Sequence, residues 1–293
     1  HTYKISLNGG VPKLLNKGDF NTMTYPSDNH KFFVNNFSRV NTTPKSNLIN
    51  SDGSVIMNLE TADLSALFES GYKFPETFKA KADDGITDLY GVIYKPFDFD
   101  ENKKYPLLEY VYPGPQTESV NKSFSVRMDR LDRMAQLGFI VITLGNRGGH
   151  PDRSKWYHNY GYGNLRDYGL ADKKYVAQQL ANRHDFIDIN RVGIYGHSGG
   201  GFMSTAAILV YPDFFKVAYS QAGNHDNSIY NSWWSETHHG ILEETDDDGN
   251  IKYIYDIDKN QSLAKNLKGH LYLVTGDMDN NVHPGALIEW RMP

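Results

Sequence analysis

Gly196-His197-Ser198-Gly199-Gly200 follows the apolar run Arg191-Val192-Gly193-Ile194-Tyr195 and precedes the helical run Phe202 to Leu209. A serine framed by glycines between a strand and a helix is the G-x-S-x-G elbow, whose chemistry is nucleophilic attack on a carbonyl. The glycines are a steric requirement. A serine lifted above the strand ends on a strained turn leaves no room for Cβ atoms at Gly196 and Gly200. The start of the following helix presents the Gly199 N–H to the place where a tetrahedral oxyanion forms. The bare pattern also occurs in loops with no catalytic role. What singles out Ser198 as the candidate nucleophile is the strand–turn–helix context, with Gly201, Ser204, Ala206 and Ala207 small enough for close helix–sheet packing.

In a fold of this kind the acid follows the serine at the end of a later strand. Leu271-Tyr272-Leu273-Val274-Thr275 is such a strand, and it runs into Gly276-Asp277-Met278-Asp279-Asn280-Asn281-Val282-His283. Either Asp277 or Asp279 could accept an imidazole N–H and hold the ring in the tautomer that catalysis needs.

These residues require a scaffold of strands and helices. Residues 1 to about 60 read as β: Tyr3, Ile5 and Leu7 alternate with polar residues, Lys31 to Phe37 and Val55 to Leu59 are further strands, and Gly/Asn/Asp turns separate them. Thr61 to Ser70 reads as a short helix capped by Thr61 and stopped at Gly71. From about 75 on, short apolar runs (Leu89 to Tyr94, Leu107 to Tyr112, Phe139 to Leu144, Val192 to Tyr195, Val217 to Tyr219, Leu271 to Thr275) alternate with helical spacings. Two such spacings are Met128-Leu131-Met134-Ala135 and Val176-Ala177-Leu180-Ala181. The pattern predicts a β segment over 1–74 and a doubly wound α/β domain over 75–293.

Composition narrows the possible chemistry. With no cysteine among 293 residues, thiolate nucleophiles, disulfides and Cys-ligated metals are excluded. Thirty Lys and Arg against 35 Asp and Glu leave a net charge of −5 with no basic cluster, which argues against a nucleic-acid partner. Glu243 to Asn250 lacks the glutamate of a calcium loop, since Tyr255 falls at that position, and reads as an acidic surface turn. Adjacent His238 and His239 point about 100° apart on a helix and miss the zinc-protease spacing, so no metal and no cofactor is expected. Gly145-Asn146-Arg147-Gly148-Gly149 lacks the Gly-Lys-Ser/Thr ending of a phosphate loop and reads as a crossing near the sheet's C-terminal edge.

Taken together, the motifs resemble the dipeptidyl peptidase IV branch of the prolyl oligopeptidase family of serine peptidases, in which an α/β-hydrolase domain carries a β-propeller. Gly196 to Gly200 resembles the nucleophile motif, with Ser198 as nucleophile. Val111-Tyr112-Pro113-Gly114-Pro115 resembles the segment whose tyrosine completes the oxyanion hole, which implies Tyr112 beside the Gly199 N–H. Asp279, with Asn280-Asn281-Val282-His283 behind it, falls where the family has its acid, and Asp277 is two positions too early. Tyr230 and Trp234 fall where aromatic residues line a proline-accepting pocket, with Asn281 and Val282 beside it. Such a pocket should be aromatic and apolar, and Tyr230, Trp233 and Trp234 are suitable walls. Residues 1–74 resemble the end of the propeller.

The resemblance implies an exopeptidase acting on peptides with Pro or Ala near the N-terminus, with no nucleic acid, a homodimer as a possible assembly, and a periplasmic or extracellular location. An esterase of the same fold and a non-catalytic binding protein remain alternatives that share the elbow. The family's general-base histidine lies some tens of residues beyond the acid. Only His283 follows Asp279 here, and it belongs to the Asn-Val-His segment, so the triad histidine is expected outside this chain. Gly285 to Met292 resembles the helix start after the acid joined to a segment that follows the catalytic histidine.

Overall fold

The structure is a computed structural model that describes residues 1–113, 115, 117–125 and 130–288. Gly114, Met128 and the stretch from Glu289 to Met292, which the sequence reading used, lie outside the described residues. The chain forms two units. One comprises residues 1–77 with 121–133; the other comprises residues 78–120 and the chain from Met134 onward.

In the first unit, β1 (Tyr3–Lys4) pairs with β2 (Lys13–Leu14). Strands β3 (Asn21–Pro26), β4 (Phe32–Ser38), β5 (Lys45–Asn50) and β6 (Val55–Thr61) follow as a four-stranded antiparallel meander in sequence order, the arrangement of one propeller blade. Its turns fall where the turn residues are: Ser27 N–H donates to Phe32 O across the β3–β4 connection, and Gly53 takes φ 89° between β5 and β6. A buried amide–hydroxyl ladder ties one face together. Asn16 Nδ2 donates to Asn35 Oδ1 (3.1 Å) and Asn35 Nδ2 to Asn47 Oδ1 (3.3 Å). The alternation at Tyr3, Ile5 and Leu7 produces only a two-residue strand, and Leu7 is fully exposed, because this segment has no hydrophobic face to pack against. Thr61 ends β6 instead of capping a helix. The helix α1 is Ser65–Glu69, because the run from Val55 keeps pairing with β5 as far as Thr61.

The second unit is built on a seven-stranded sheet of β7 (Glu76–Lys81), β8 (Asp88–Tyr94), β9 (Tyr105–Val111), β10 (Ile140–Leu144), β11 (Ile187–His197), β12 (Phe215–Gln221) and β15 (His270–Val274). The order is β15-β12-β11-β9-β10-β8-β7, with β9, β10, β11, β12 and β15 parallel and β8 antiparallel to β10. Together with the propeller-like segment before it, this mixed, mostly parallel sheet is the α/β-hydrolase architecture expected from the sequence. Two further strands, β13 (Leu242–Thr245) and β14 (Ile251–Ile254), form a hairpin apart from the sheet, and the acidic run Asp246 to Asp248 is its tip.

Helices α2 (Arg130–Ala135), α3 (Lys155–His158), α4 (Leu170–Arg183), α5 (Gly199–Val210), α6 (Ser232–His239) and α7 (Gly285–Ile288) complete the chain. The long ones cover the sheet. Val176, Ala177 and Leu180 of α4 and Ala206, Ala207, Ile208 and Leu209 of α5 are fully buried with Leu107, Ile140, Ile142 and Ile194 of the strands. Each Val, Leu or Ile side chain among them contributes about 1.5–3 kcal/mol on burial. The interior also holds charge. Lys173 of α4 donates from Nζ to Leu144 O (2.5 Å) and lies 3.8 Å from Glu109 of β9, whose carboxyl is pushed up to about 7 by burial, against the pull of the ammonium. Arg147, in the glycine-rich loop after β10, grips Asp172 with Nε and Nη2 and stacks 4.3 Å from the Tyr160 ring, which anchors that loop to the start of α4.

Parallel strands place their C-terminal ends on one edge, and ligands bind where the strand order reverses. From β9 the chain steps to β10 on one side and to β11 on the other, so that reversal lies between β9 and β11.

Candidate active site

Ser198 stands at this crossing, between the end of β11 and the start of α5. Its backbone is left-handed, with φ 56° and ψ −121°, a conformation that costs a non-glycine residue about 1–3 kcal/mol. Surrounding contacts hold it there: Ser198 N–H donates to Gln221 O of β12 (2.8 Å), and Phe202 N–H donates to Ser198 O (3.0 Å). The glycines do what the sequence predicted. A Cβ on Gly196 would lie 2.3 Å from Val111 O, and one on Gly200 would lie 2.0 Å from the same oxygen. The elbow therefore packs directly on the last residue of β9, paired with it through Gly196 and Val111.

That packing brings Tyr112 to the site. Its Cα is 3.3 Å from the position a Gly200 Cβ would take, immediately beside the first turn of α5. The next carbonyl, Pro113 O, accepts from the buried Tyr168 hydroxyl at 2.8 Å, so the segment after β9 is held from below. Sequence reading missed Tyr168; nothing in the run Arg166-Asp167-Tyr168-Gly169 marks it. The first N–H groups of a helix have no intrahelical acceptor, which leaves the Gly199 N–H available at the elbow. No described side chain hydrogen-bonds to the hydroxyl of Ser198 or of Tyr112.

Asp279 lies in the loop after β15, on the same edge of the sheet. Its Oδ1 accepts from Asn281 N–H and Val282 N–H, both at 2.9 Å. These two backbone donors, that of Val282 foremost, hold the carboxyl below the ordinary aspartate range, with a smaller contribution from nearby His197. Asp279 is thus ionised at neutral pH and oriented by its own loop. Asp277 is exposed. His283 spends its Nδ1 accepting from Gly285 N–H (3.0 Å) at the start of α7.

The pocket residues come together in part. The Tyr230 hydroxyl donates to Asn281 Oδ1 (3.4 Å), the Tyr230 ring meets Trp234 edge-on (5.4 Å, 83°), and Val282 is buried. Tyr230, Asn281 and Val282 line a cavity of about 330 Å³ between the acid loop and the loop after β12. Trp234 lines a separate crevice that runs to Gly199, and packs against the hydrophobic core. Trp233 is 72% exposed and forms no wall, because adjacent positions on α6 point about 100° apart and only Trp234 faces the core. The cavity is also more polar than an apolar proline pocket, with Asn224, Asp226, Asn231, Asn280 and His283 around it. Asn224, His225, Asp226 and Asn227 are four consecutive polar residues and all are buried. From sequence alone such a run reads as a solvated loop.

The arrangement offers a hydroxyl on a strained turn at a helix N-terminus, the Tyr112 backbone beside that turn, and an oriented carboxylate on the same edge. This is the equipment of acyl transfer.

The model of the prolyl oligopeptidase family matches residues 124–291. Dipeptidyl peptidase 8 of Homo sapiens is 34% identical over 213 residues, covering 72% of this chain and 23% of that protein. Prolyl endopeptidase FAP of Mus musculus is 31% identical over 206 residues, covering 70% and 26%. The crystal structure of Porphyromonas gingivalis dipeptidyl peptidase 4 superposes with a TM-score of 0.79 at 25% identity, over 99% of this chain and 41% of that one. The chain thus spans about a quarter of the length of these curated relatives.

Proposed function

Because the chain belongs to the prolyl oligopeptidase family, we propose that it serves a serine exopeptidase that releases short N-terminal peptides, preferentially after Pro or Ala, through an acyl-enzyme on Ser198. The observation that carries this reading is the left-handed Ser198 between Gly196 and Gly200, both packed closely on Val111 O, with the Tyr112 backbone beside Gly200. Ser198 Oγ attacks the scissile carbonyl, and its proton passes to a general base and then to the departing amine. No described histidine hydrogen-bonds to the Ser198 hydroxyl, so the reading requires an imidazole supplied from outside the described residues, with Asp279 as its partner. The Gly199 N–H and the Tyr112 hydroxyl donate to the oxyanion of the tetrahedral intermediate. Water then attacks the acyl-enzyme and releases the peptide acid.

The test is substrate choice by the complete protein. An Xaa-Pro or Xaa-Ala p-nitroanilide should be turned over and a fluorophosphonate probe should label Ser198. Hydrolysis of p-nitrophenyl esters without X-Pro amides would assign an esterase, and absence of labelling would assign a binding protein. The phenol role predicts that Tyr112→Phe lowers kcat by roughly 10²–10³ with KM little changed. A change confined to KM would remove Tyr112 from the oxyanion hole.

A further inference from the structure

Helix α5 begins in an unusual way for an element that must hold a backbone donor still. Its N-cap is Ser198, which makes no side-chain capping bond, and its first three residues are glycines. Glycine carries the most backbone freedom to be lost on folding, so three in succession make the weakest opening turn available. Close approaches demand the second and third of them. A Cβ on Gly201 would lie 2.6 Å from Gln221 O and 3.1 Å from Gly223 Cα. Rigidity at this turn must therefore come from groups outside the helix backbone.

A cluster of buried polar side chains supplies it. Ser220 Oγ, on β12, donates to Gly201 O at 2.8 Å. Asn260 Nδ2 donates to Phe202 O at 2.9 Å. The imidazole of His225 lies between them, with Nδ1 3.1 Å from Asn260 Nδ2 and Nε2 3.5 Å from Ser220 Oγ. Ser220, His225 and Asn260 are all fully buried.

Counting hydrogens settles the direction of each bond. The Asn260 amide nitrogen has two protons: one goes to Phe202 O, and the other points at His225 Nδ1, which must then be an acceptor. The ring proton is therefore on Nε2 and faces the Ser220 oxygen, whose own proton is already given to Gly201 O. The chain of donors thus runs from Asn260 to His225 to Ser220 and ends on the helix. Burial lowers His225 to about 4, which keeps the imidazole in the neutral form this chain needs. The same two segments are joined again by Asn260 N–H to His225 O (3.1 Å) and by the Asp226–Lys259 ion pair (2.5 Å).

Building on the catalytic reading of Ser198, we propose that Ser220, His225 and Asn260 are positioning residues: a buried relay that clamps the glycine turn of α5 and so fixes the Gly199 N–H against the reacting carbonyl. The relay also passes, at His225, through the loop that carries Tyr230, so the pocket and the elbow share one set of bonds.

The test compares Ser220→Ala and His225→Phe with Leu180→Ala, a cavity in the core under α4, in the complete protein. Three quantities are read: amide hydrogen exchange over residues 198–205, kcat and KM on an Xaa-Pro p-nitroanilide, and the melting midpoint. The relay variants should speed exchange at the elbow and lower kcat by about tenfold or more with KM nearly unchanged, because a misplaced group at a reacting centre costs rate before affinity. Leu180→Ala should lower the midpoint while leaving elbow exchange and kcat alone. Unchanged exchange in both relay variants, or an equal loss of kcat in Leu180→Ala, overturns the proposal. A wild-type protein that cleaves no such substrate would sink the peptidase reading instead, and the exchange measurement would still decide the clamp.

Discussion

Replacing Ser198 with alanine in the complete protein is expected to lower kcat on an Xaa-Pro p-nitroanilide by about 10⁵–10⁶, leaving only what binding and the oxyanion donors provide. The substitution is a clean one. Alanine keeps the Cβ, so the left-handed backbone at φ 56° stays as strained as before and the two backbone bonds of residue 198, to Gln221 O and from Phe202 N–H, persist. The melting midpoint should therefore hardly move, and labelling by a fluorophosphonate should vanish. A variant that retains wild-type kcat would show that another group attacks the carbonyl. With no cysteine in the sequence and no second Gly-x-Ser-x-Gly in it, that outcome would remove the acyl-enzyme mechanism altogether.

Asp279→Asn should cost about 10⁴ in kcat, the loss seen when a triad carboxylate is replaced by its neutral isostere. The geometry makes this a test of charge alone. An asparagine oxygen can still accept from Asn281 N–H and Val282 N–H, so the loop after β15 keeps its shape while the partner for an imidazolium disappears. The pH dependence has a definite sign. The carboxyl is held below the usual aspartate range by those two amides, so it remains ionised as pH falls through that range and is neutralised only below its lowered value. The acid limb of kcat/KM therefore reports the imidazole and not Asp279. Asp277→Asn should be nearly silent; a larger effect there than at Asp279 would transfer the acid to Asp277. Because the residues of a triad act as a unit, combining Asp279→Asn with Ser198→Ala should add little to the serine variant alone.

The elbow was readable because its constraints are local. Gly196, Ser198 and Gly200 must accommodate a sharp turn and a close neighbour, and a residue without Cβ is the only sequence-level answer to that steric problem. The later strand and its paired aspartates were legible for a related reason, since an apolar run of strand length that ends in carboxylates is a one-dimensional pattern. Periodicity alone misled where pairing decides. Tyr3, Ile5 and Leu7 alternate, but most of that stretch finds no partner strand. Thr61 has the chemistry of a helix cap and is claimed instead by the ladder with Lys45. Trp233 and Trp234 are adjacent and alike in sequence, and only packing sends one into solvent and the other onto the core.

By itself, then, the sequence determined the α/β class, the strand–turn–helix that carries Ser198, and the absence of any thiol chemistry. Those properties follow from residue type and short spacing. Tertiary structure alone decided that Val111 O is the atom the elbow glycines must clear, that Tyr168 braces Pro113, and that Ser220, His225 and Asn260 meet beneath the glycine turn. The physical reason is that a buried polar group is stable only with partners, and those partners come from β12, its following loop and a segment some 35 residues further on. No local pattern encodes such a meeting; it exists only once the sheet has ordered its strands.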